Sequence, residues 1–187
     1  MTNSSRPPSL YKKILVPYDF GSQPSANALN YAIRIAEATA HYQPDIVLLH
    51  VISEIPIYPI IENIRKSKST GQTMTLREHA NEVYSAMKNH AAEKLEEKRQ
   101  EYLSNKDIEA QMHSASSISS TRSLNITPEV LLGNPANKIV EFAKDEQIDI
   151  IVIGNIGGTG ISKVRALLGS VSRAVIEQSH CPVVVVH

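Results

Sequence analysis

The chain has 187 residues, the size of one globular domain, which is enough to bury a continuous core without staples. Nineteen basic residues balance nineteen acidic ones. No global field therefore steers the chain onto nucleic acid or an anionic membrane, and neither partner is expected. The one cysteine, Cys181, excludes an internal disulfide framework and any multi-cysteine metal site, and it fits a reducing, cytoplasmic setting. No apolar run approaches the ~20 residues that cross a bilayer, and the polar N-terminal segment lacks a signal-peptide core.

Residues 1–10 are polar and rich in Ser and Pro, the composition of a disordered tail, and a single domain is expected over 11–187. Lys13 to Pro17 is a short apolar run without alternation, as in a strand buried on both faces of a parallel sheet. A turn, Tyr18 to Ser22, leads into a helix expected over about 22–41, with Ala28, Tyr31, Ala32, Ile35 and Ala36 inward. Pro44 ends it, and Ile46 to Ile52 forms a second buried strand. Residues 53–75 contain Pro56, Pro59, Gly71 and the basic run Arg65 to Lys68, and they predict a long loop, an elaboration that could order over a ligand. The basic run fits a solvated loop better than a nucleic-acid patch.

A long helix is predicted over about 75–103, with Leu76, Ala80, Val83, Met87, Ala91, Leu95 and Tyr102 on its apolar side and a charged opposite side. Residues 107–122 are serine-rich and predict irregular chain, within an elaboration spanning 104–123. Ile126 to Leu132 is a third strand, which Pro128 places at a sheet edge. Gly133, Asn134 and Pro135 turn into a helix over about 136–146 with Ile139, Val140 and Ala143 inward. Asp149 to Ile153 is a fourth strand. A glycine-rich stretch, Gly154 to Ser170, precedes a helix over about 170–179, and Pro182 to Val186 is a fifth strand.

This alternation implies parallel strands joined by right-handed crossovers. Ligands in such sheets bind beyond the carboxyl ends of strands, where the strand order reverses, so the turns after strands one and four are the candidate site. The stretch after strand four has glycines that allow positive φ and close backbone approach. Gly169 and Ser170 sit at the mouth of the last helix, where free N–H groups and the helix dipole favour an anion. Ser170 can cap that helix and also donate to a phosphate oxygen. The spacing is neither a Walker A loop nor the dinucleotide fingerprint. On this ground alone the glycines equally describe a tight turn, Asp19 a turn-forming or capping aspartate, and Val51 plain core. His50 reads as structural and Cys181 as inert packing. Lys163 and Arg165, within the stretch, are phosphate partners or solvated charges. No histidine pair has metal-ligand spacing and no nucleophile elbow is present, so no catalytic residue and no metal ligand is assigned.

The segments Lys13 to Asp19, Leu49 to Val51, Gly133 to Pro135, Asp149 to Gly154 and Cys181 to Val186, taken in order, resemble the universal stress protein family. The likeness covers all but residues 1–10, 54–75 and 104–123. It implies an α/β fold, an open doubly wound five-stranded parallel sheet of order 3-2-1-4-5, adenine nucleotide alpha hydrolase-like. The ATP-binding branch carries Gly-x2-Gly-x9-Gly-Ser/Thr. Here Gly154 and Gly157 match the first pair and Gly169 with Ser170 the end, with a spacer two residues longer that places extra chain near Gly158 to Gly160. The resemblance implies a nucleotide site of Pro17, Tyr18, Asp19, Val51, Ile153, Gly154, Asn155, Gly157, Gly169, Ser170, Val171 and Ser172. Asp19 would stand beside adenine and ribose and Val51 would line the adenine slot, while the glycines and Ser170 would hold ribose and phosphates.

It further implies ATP or another adenine nucleotide as ligand, with Mg²⁺ as a companion, and a homodimer through Val183 to Val186. Asp19 is the one carboxylate expected near the site, so binding with at most slow hydrolysis is expected. Three functions follow in order of preference. They are a nucleotide-responsive stress or regulatory protein, a nucleotide-independent partner-binding or chaperone-like protein, and a hydrolase or nucleotidyl-transfer enzyme.

Overall fold

The computed structural model describes residues 11–38, 44–54, 65–67, 73–112, 124–155 and 168–187. In chain order the elements are β1 (Lys13–Pro17), α1 (Gln23–Ala38), β2 (Asp45–Ser53), a ribbon of β3 (Arg65–Ser67) and β4 (Thr73–Thr75), α2 (Leu76–Met112), β5 (Ile126–Gly133), α3 (Pro135–Asp145), β6 (Ile150–Gly154), α4 (Ser170–Gln178) and β7 (Val183–Val186). The main sheet runs β5-β2-β1-β6-β7 with every pair parallel, which is the predicted order.

The non-alternating strands follow from burial on both faces. Ile14, Val16, Ile46, Leu48, Ile150 and Val152 pack toward α1 and toward Leu95 of α2. Leu15, Val47, Leu49, Ile151 and Ile153 pack toward α3 and α4. Each such side chain contributes roughly 1.5–3 kcal/mol on leaving water. Among the described residues β5 pairs only with β2, so Pro128 lies in an edge strand, where a missing N–H can go unmissed.

Local chemistry sets the helix ends. Asn134 caps α3 by accepting the Asn137 N–H at 3.1 Å, Pro135 begins the helix, and Gly133 supplies the φ of +142° that the preceding turn needs. Thr75 and Glu78 form a reciprocal capping box on α2: the Thr75 N–H donates to Glu78 at 2.7 Å and the Glu78 N–H to Thr75 Oγ1 at 3.1 Å.

Several expectations are corrected. Residues 53–75 are not wholly loop, since β3 and β4 pair antiparallel within them. The long helix continues to Met112, so residues 107–112 are helical rather than irregular. No Gly or Pro occurs between Gly71 and Pro128 to stop it. Tyr31, Val83 and Met87 are 44%, 43% and 45% exposed instead of inward. On α1 the buried stripe is Ser25, Ala28, Leu29, Ala32, Ile33 and Ala36, rotated away from Tyr31. Among the described side chains of α2 the buried ones are Tyr84, Ala91 and Leu95. These positions fall on one stripe of the helix, and Val83 and Met87 lie to one side of it. Residues 1–10, 39–43 and 113–123 lie outside the described residues, as do the tail and the end of the first helix expected there.

Glycine at position 154 is required by packing. A Cβ there would stand 2.5 Å from the Pro24 carbonyl carbon and oxygen and 2.7 Å from Ser25 N, all backbone of α1. Gly154→Ala therefore must push α1 off the sheet. Overpacking of this kind costs about 1–3 kcal/mol, and a chemical denaturation midpoint that drops accordingly is the expected result; an unchanged midpoint contradicts the contact.

Glu96 accepts from Arg99 at 2.8 and 2.9 Å and from Gln100 at 2.7 Å. These bonds, that of Arg99 first, lower its carboxyl from 4.5 to about 2. The folded value lies below the unfolded one, so the pairing contributes fully above pH 4.5 and is lost as pH falls toward 2. A carboxylate-resolved NMR titration should place the Glu96 midpoint near 2 and return it toward the ordinary carboxylate value in Arg99→Ala. An ordinary midpoint in the intact chain contradicts the pairing.

Candidate functional site

β1 pairs with β2 on one side and β6 on the other. After β1 the chain leaves through α1 toward β2, and after β6 it leaves through α4 toward β7. The two exits diverge and leave a crevice beyond the strands' carboxyl ends. The cleft there has a volume of about 440 Å³, within the ~300–1,000 Å³ of small-molecule sites.

From the sequence-nominated set, Pro17, Tyr18, Asp19, Val51, Ile153, Gly154, Gly169, Ser170, Val171 and Ser172 line this cleft. Gly157 lies outside the described residues, as do Lys163 and Arg165. Asn155 does not line it. This residue is buried beside it, with its Oδ1 accepting the Gly169 N–H at 3.1 Å. The cleft also takes in Ser25, Leu49, His50, Ser53, Pro135 and Ile139, which the sequence did not nominate. Pro135 and Ile139 had a signal. The helix starting at Pro135 follows an edge strand of the same sheet, so its first turn rises at the same carboxyl end.

The walls differ in chemistry. On the α3 and α4 side, Leu49, Val51, Ile139, Ile153 and Val171 make an apolar slot. On the α1 side, the turn after β1 is held by backbone. The Tyr18 N–H donates to the Leu49 carbonyl at 2.8 Å, and the Asp19 N–H donates to the buried Ser25 Oγ at 3.1 Å. Ser22 occupies the cap position of α1, its Oγ 3.5 Å from Ser25 N, so the capping role open to Asp19 is taken. The exposed carboxylate of Asp19 has no partner among the described residues.

At the α4 end the cap residue is Gly169, with extended backbone at φ −64° and ψ 158° and no side-chain cap bond. Ser170 is already helical, which removes the capping role read for it. The Ser172 hydroxyl bonds back to the Gly169 carbonyl at 3.1 Å. The N–H groups of Ser170, Val171 and Ser172 have no intrahelical carbonyl by geometry, and they sit at the cleft with the positive end of the dipole. No lysine or arginine belongs to the described lining, and Asp19 is its one carboxylate. Among the described residues no group of three or more His, Cys, Asp or Glu could hold a metal ion, and no helix is long and apolar enough to cross a membrane.

Comparison with known proteins places this architecture. The model of the universal stress protein family matches residues 10–187. The chain belongs to the universal stress protein family. Universal stress protein MJ0531 of Methanocaldococcus jannaschii is 33% identical over 180 residues, spanning 95% of this chain and 83% of its own. Universal stress protein MJ0577 of the same organism is 29% identical over 182 residues, spanning 95% of each. The solved structure of MJ0577 has a TM-score of 0.61 at 28% identity, covering 95% and 96%. The structure of UspA from Lactobacillus plantarum has a TM-score of 0.64 at 24% identity, covering 95% and 98%, a likeness of fold.

His50 of this universal stress protein has a defined place. Its Nδ1 stands 2.8 Å from the Tyr18 carbonyl, and its ring lies 4.5 Å from that of Phe20. A carbonyl only accepts, so Nδ1 carries the proton and pins the turn that bears Asp19. A ¹⁵N-resolved spectrum of neutral His50 should show the Nδ1–H tautomer. Finding the proton on Nε2 instead contradicts this bond.

Proposed function

We propose that this universal stress protein binds an adenine nucleotide, ATP foremost, in the cleft between the ends of β1 and β6, and acts as a regulatory protein whose conformation or partners change with the ligand. The observation that carries the reading is the chemical division of one cleft, with an apolar slot on one side, an unpartnered carboxylate on the other and a helix N-terminus at its end. A flat purine suits the slot formed by Val51, Ile153 and Val171. Ribose hydroxyls suit the open carboxylate of Asp19, and phosphates suit the N–H groups of α4. The family pattern, Gly154-x2-Gly157 and then Gly169 with Ser170, supports the same assignment.

Mg²⁺ would come held by the nucleotide's own phosphates, since Asp19 is the one carboxylate of the described lining. The reading is one of binding: Asp19 and His50 are the base-type side chains of the described lining, and it gives Asp19 to the ribose and His50 to the Tyr18 carbonyl. Residues 11–187 act as one domain, in the cytoplasm, with neither nucleic acid nor membrane as partner. β7 is the second edge of the sheet, a run of four half-buried valines. A second copy pairing through Val183 to Val186 would satisfy its open backbone groups and cover its apolar side chains.

Isothermal titration of ATP, ADP, AMP and cyclic AMP into the full chain tests the reading. ATP should bind one site per chain. Asp19→Ala should weaken it about ten-fold or more, as for a lost hydrogen bond to a charged group, without moving the melting temperature. Binding by none of the four overturns the proposal and leaves nucleotide-independent partner binding. Turnover at about 1 per second or faster makes the protein an enzyme instead.

A further inference from the structure

Two buried serines line the cleft, Ser25 of α1 at 4% exposure and Ser172 of α4 at 3%. A hydroxyl has one hydrogen to donate and lone pairs to accept with, so the partner of each shows which capacity is spent. The Ser172 Oγ lies 3.1 Å from the Gly169 carbonyl oxygen, which only accepts, so Ser172 has given its hydrogen away. The Ser25 Oγ lies 3.1 Å from the Asp19 backbone nitrogen, which only donates, so Ser25 has spent a lone pair and keeps its hydrogen. That hydrogen meets no acceptor among the described residues. The Ser25 backbone is pressed against the end of β6, where a Cβ on Gly154 would stand 2.7 Å from its nitrogen. The idle donor therefore sits where the turn after β1 meets the end of β6, in the wall of the cleft. Its bond to the Asp19 N–H also sets it beside the exposed Asp19 carboxylate, which only accepts. One donor and one acceptor thus stand together at one residue of the turn.

We infer that Ser25 is a ligand-contacting, specificity-determining residue, and that with Asp19 it selects a ligand bearing a hydroxyl at this point of the cleft. A hydroxyl is the group that answers both partners at once, giving its hydrogen to Asp19 and taking that of Ser25. An ether oxygen there answers Ser25 alone, and a carbon-bound hydrogen answers neither. On the nucleotide reading above, on which this inference rests, the group is a ribose hydroxyl, and the cleft prefers ribonucleotides to deoxyribonucleotides. A deoxy ligand forfeits a bond to a charged acceptor, and it also covers the buried Ser25 hydroxyl without meeting its hydrogen. Ser172 has no such part. With its hydrogen committed to Gly169, it offers only lone pairs to a ligand oxygen.

Isothermal titration of the full chain with ATP, 2′-deoxy-ATP and 3′-deoxy-ATP tests this before any variant is made. ATP should bind about ten-fold or more tighter than at least one of the deoxy forms. Equal affinity for all three overturns the inference and leaves the nucleotide reading standing, whereas binding by none of the three overturns both. Ser25→Ala then separates a ligand contact from a prop for the turn. Loss of a contact weakens ATP and spares the disfavoured deoxy form, so the ratio between them should shrink about three-fold or more. Loss of a prop for the Asp19 N–H weakens the two alike, and an unchanged ratio in folded Ser25→Ala overturns the contact. Asp19→Asn gives a second reading at an exposed side chain, which keeps the test open if Ser25→Ala folds poorly. The ratio should shrink there too, and its persistence overturns the pairing of Asp19 with Ser25.

Discussion

β1 carries hydrogen bonds to a neighbour on each side, β2 on one flank and β6 on the other, and the rest of the structure depends on that double pairing. It forces the chain to wind outward in two directions. α1 and α2 go to one face, α3 and α4 to the other. Two outward windings cannot both cover the point where they part, so a crevice remains above β1 and β6. No residue has to be placed there for the crevice to exist. The residues at the ends of these two strands then line it by position alone, which is why Pro17, Tyr18 and Asp19 face Ile153 and Gly154 across it.

The crevice keeps its shape because α1 comes unusually close. Its first turn lies against the end of β6 with no room for a side chain at position 154. That approach buries Ser25, and the buried Ser25 hydroxyl accepts the Asp19 N–H. His50 holds the preceding carbonyl, at Tyr18, from the β2 side. The turn that presents the Asp19 carboxylate is therefore gripped at consecutive residues by two neighbouring elements. Gly154 belongs to this packing first and to the cleft wall second, although in the sequence it resembles only a ligand-loop glycine.

Much of the fold was legible because buried parallel strands and capped helices leave local marks. The runs at Lys13 to Pro17 and Ile46 to Ile52 lack alternation, and Pro128 marks an edge. Gly133, Asn134 and Pro135 spell a helix start in order. Legibility failed where a residue's place is set by distant partners. Val83 and Met87 continue the apolar spacing of α2, yet the stripe that packs runs through Tyr84, Ala91 and Leu95 and leaves them to one side, and spacing does not reveal where a neighbouring surface centres. The ribbon of β3 and β4 is too short to show a period. At the site, the strand ends were readable from topology, whereas Ser25, Pro135 and Ile139 arrive from helices whose approach only the packed structure defines. Asn155 was named for the site through the family pattern, but sequence could not show that it stands beside the cleft, with its Oδ1 taking a backbone N–H fourteen residues on.

On the proposed reading, the described cleft divides the work of recognition unevenly. A purine meets apolar surface from β2, β6 and α4, and its contacts come from rigid elements on a buried sheet. Phosphates meet no cationic side chain among the described lining residues, only the N–H groups and dipole of a nine-residue helix. At this end the dipole acts within the first turn and is screened by salt, so it fixes where an anion sits more than how many charges that anion carries. Its usefulness then depends on alignment: an N–H aimed a few tenths of an ångström or some tens of degrees off loses much of its bond. That makes the bond from the Gly169 N–H to Asn155 matter more than a single hydrogen bond usually does. It holds the start of the helix whose N–H groups are the phosphate donors of the described lining.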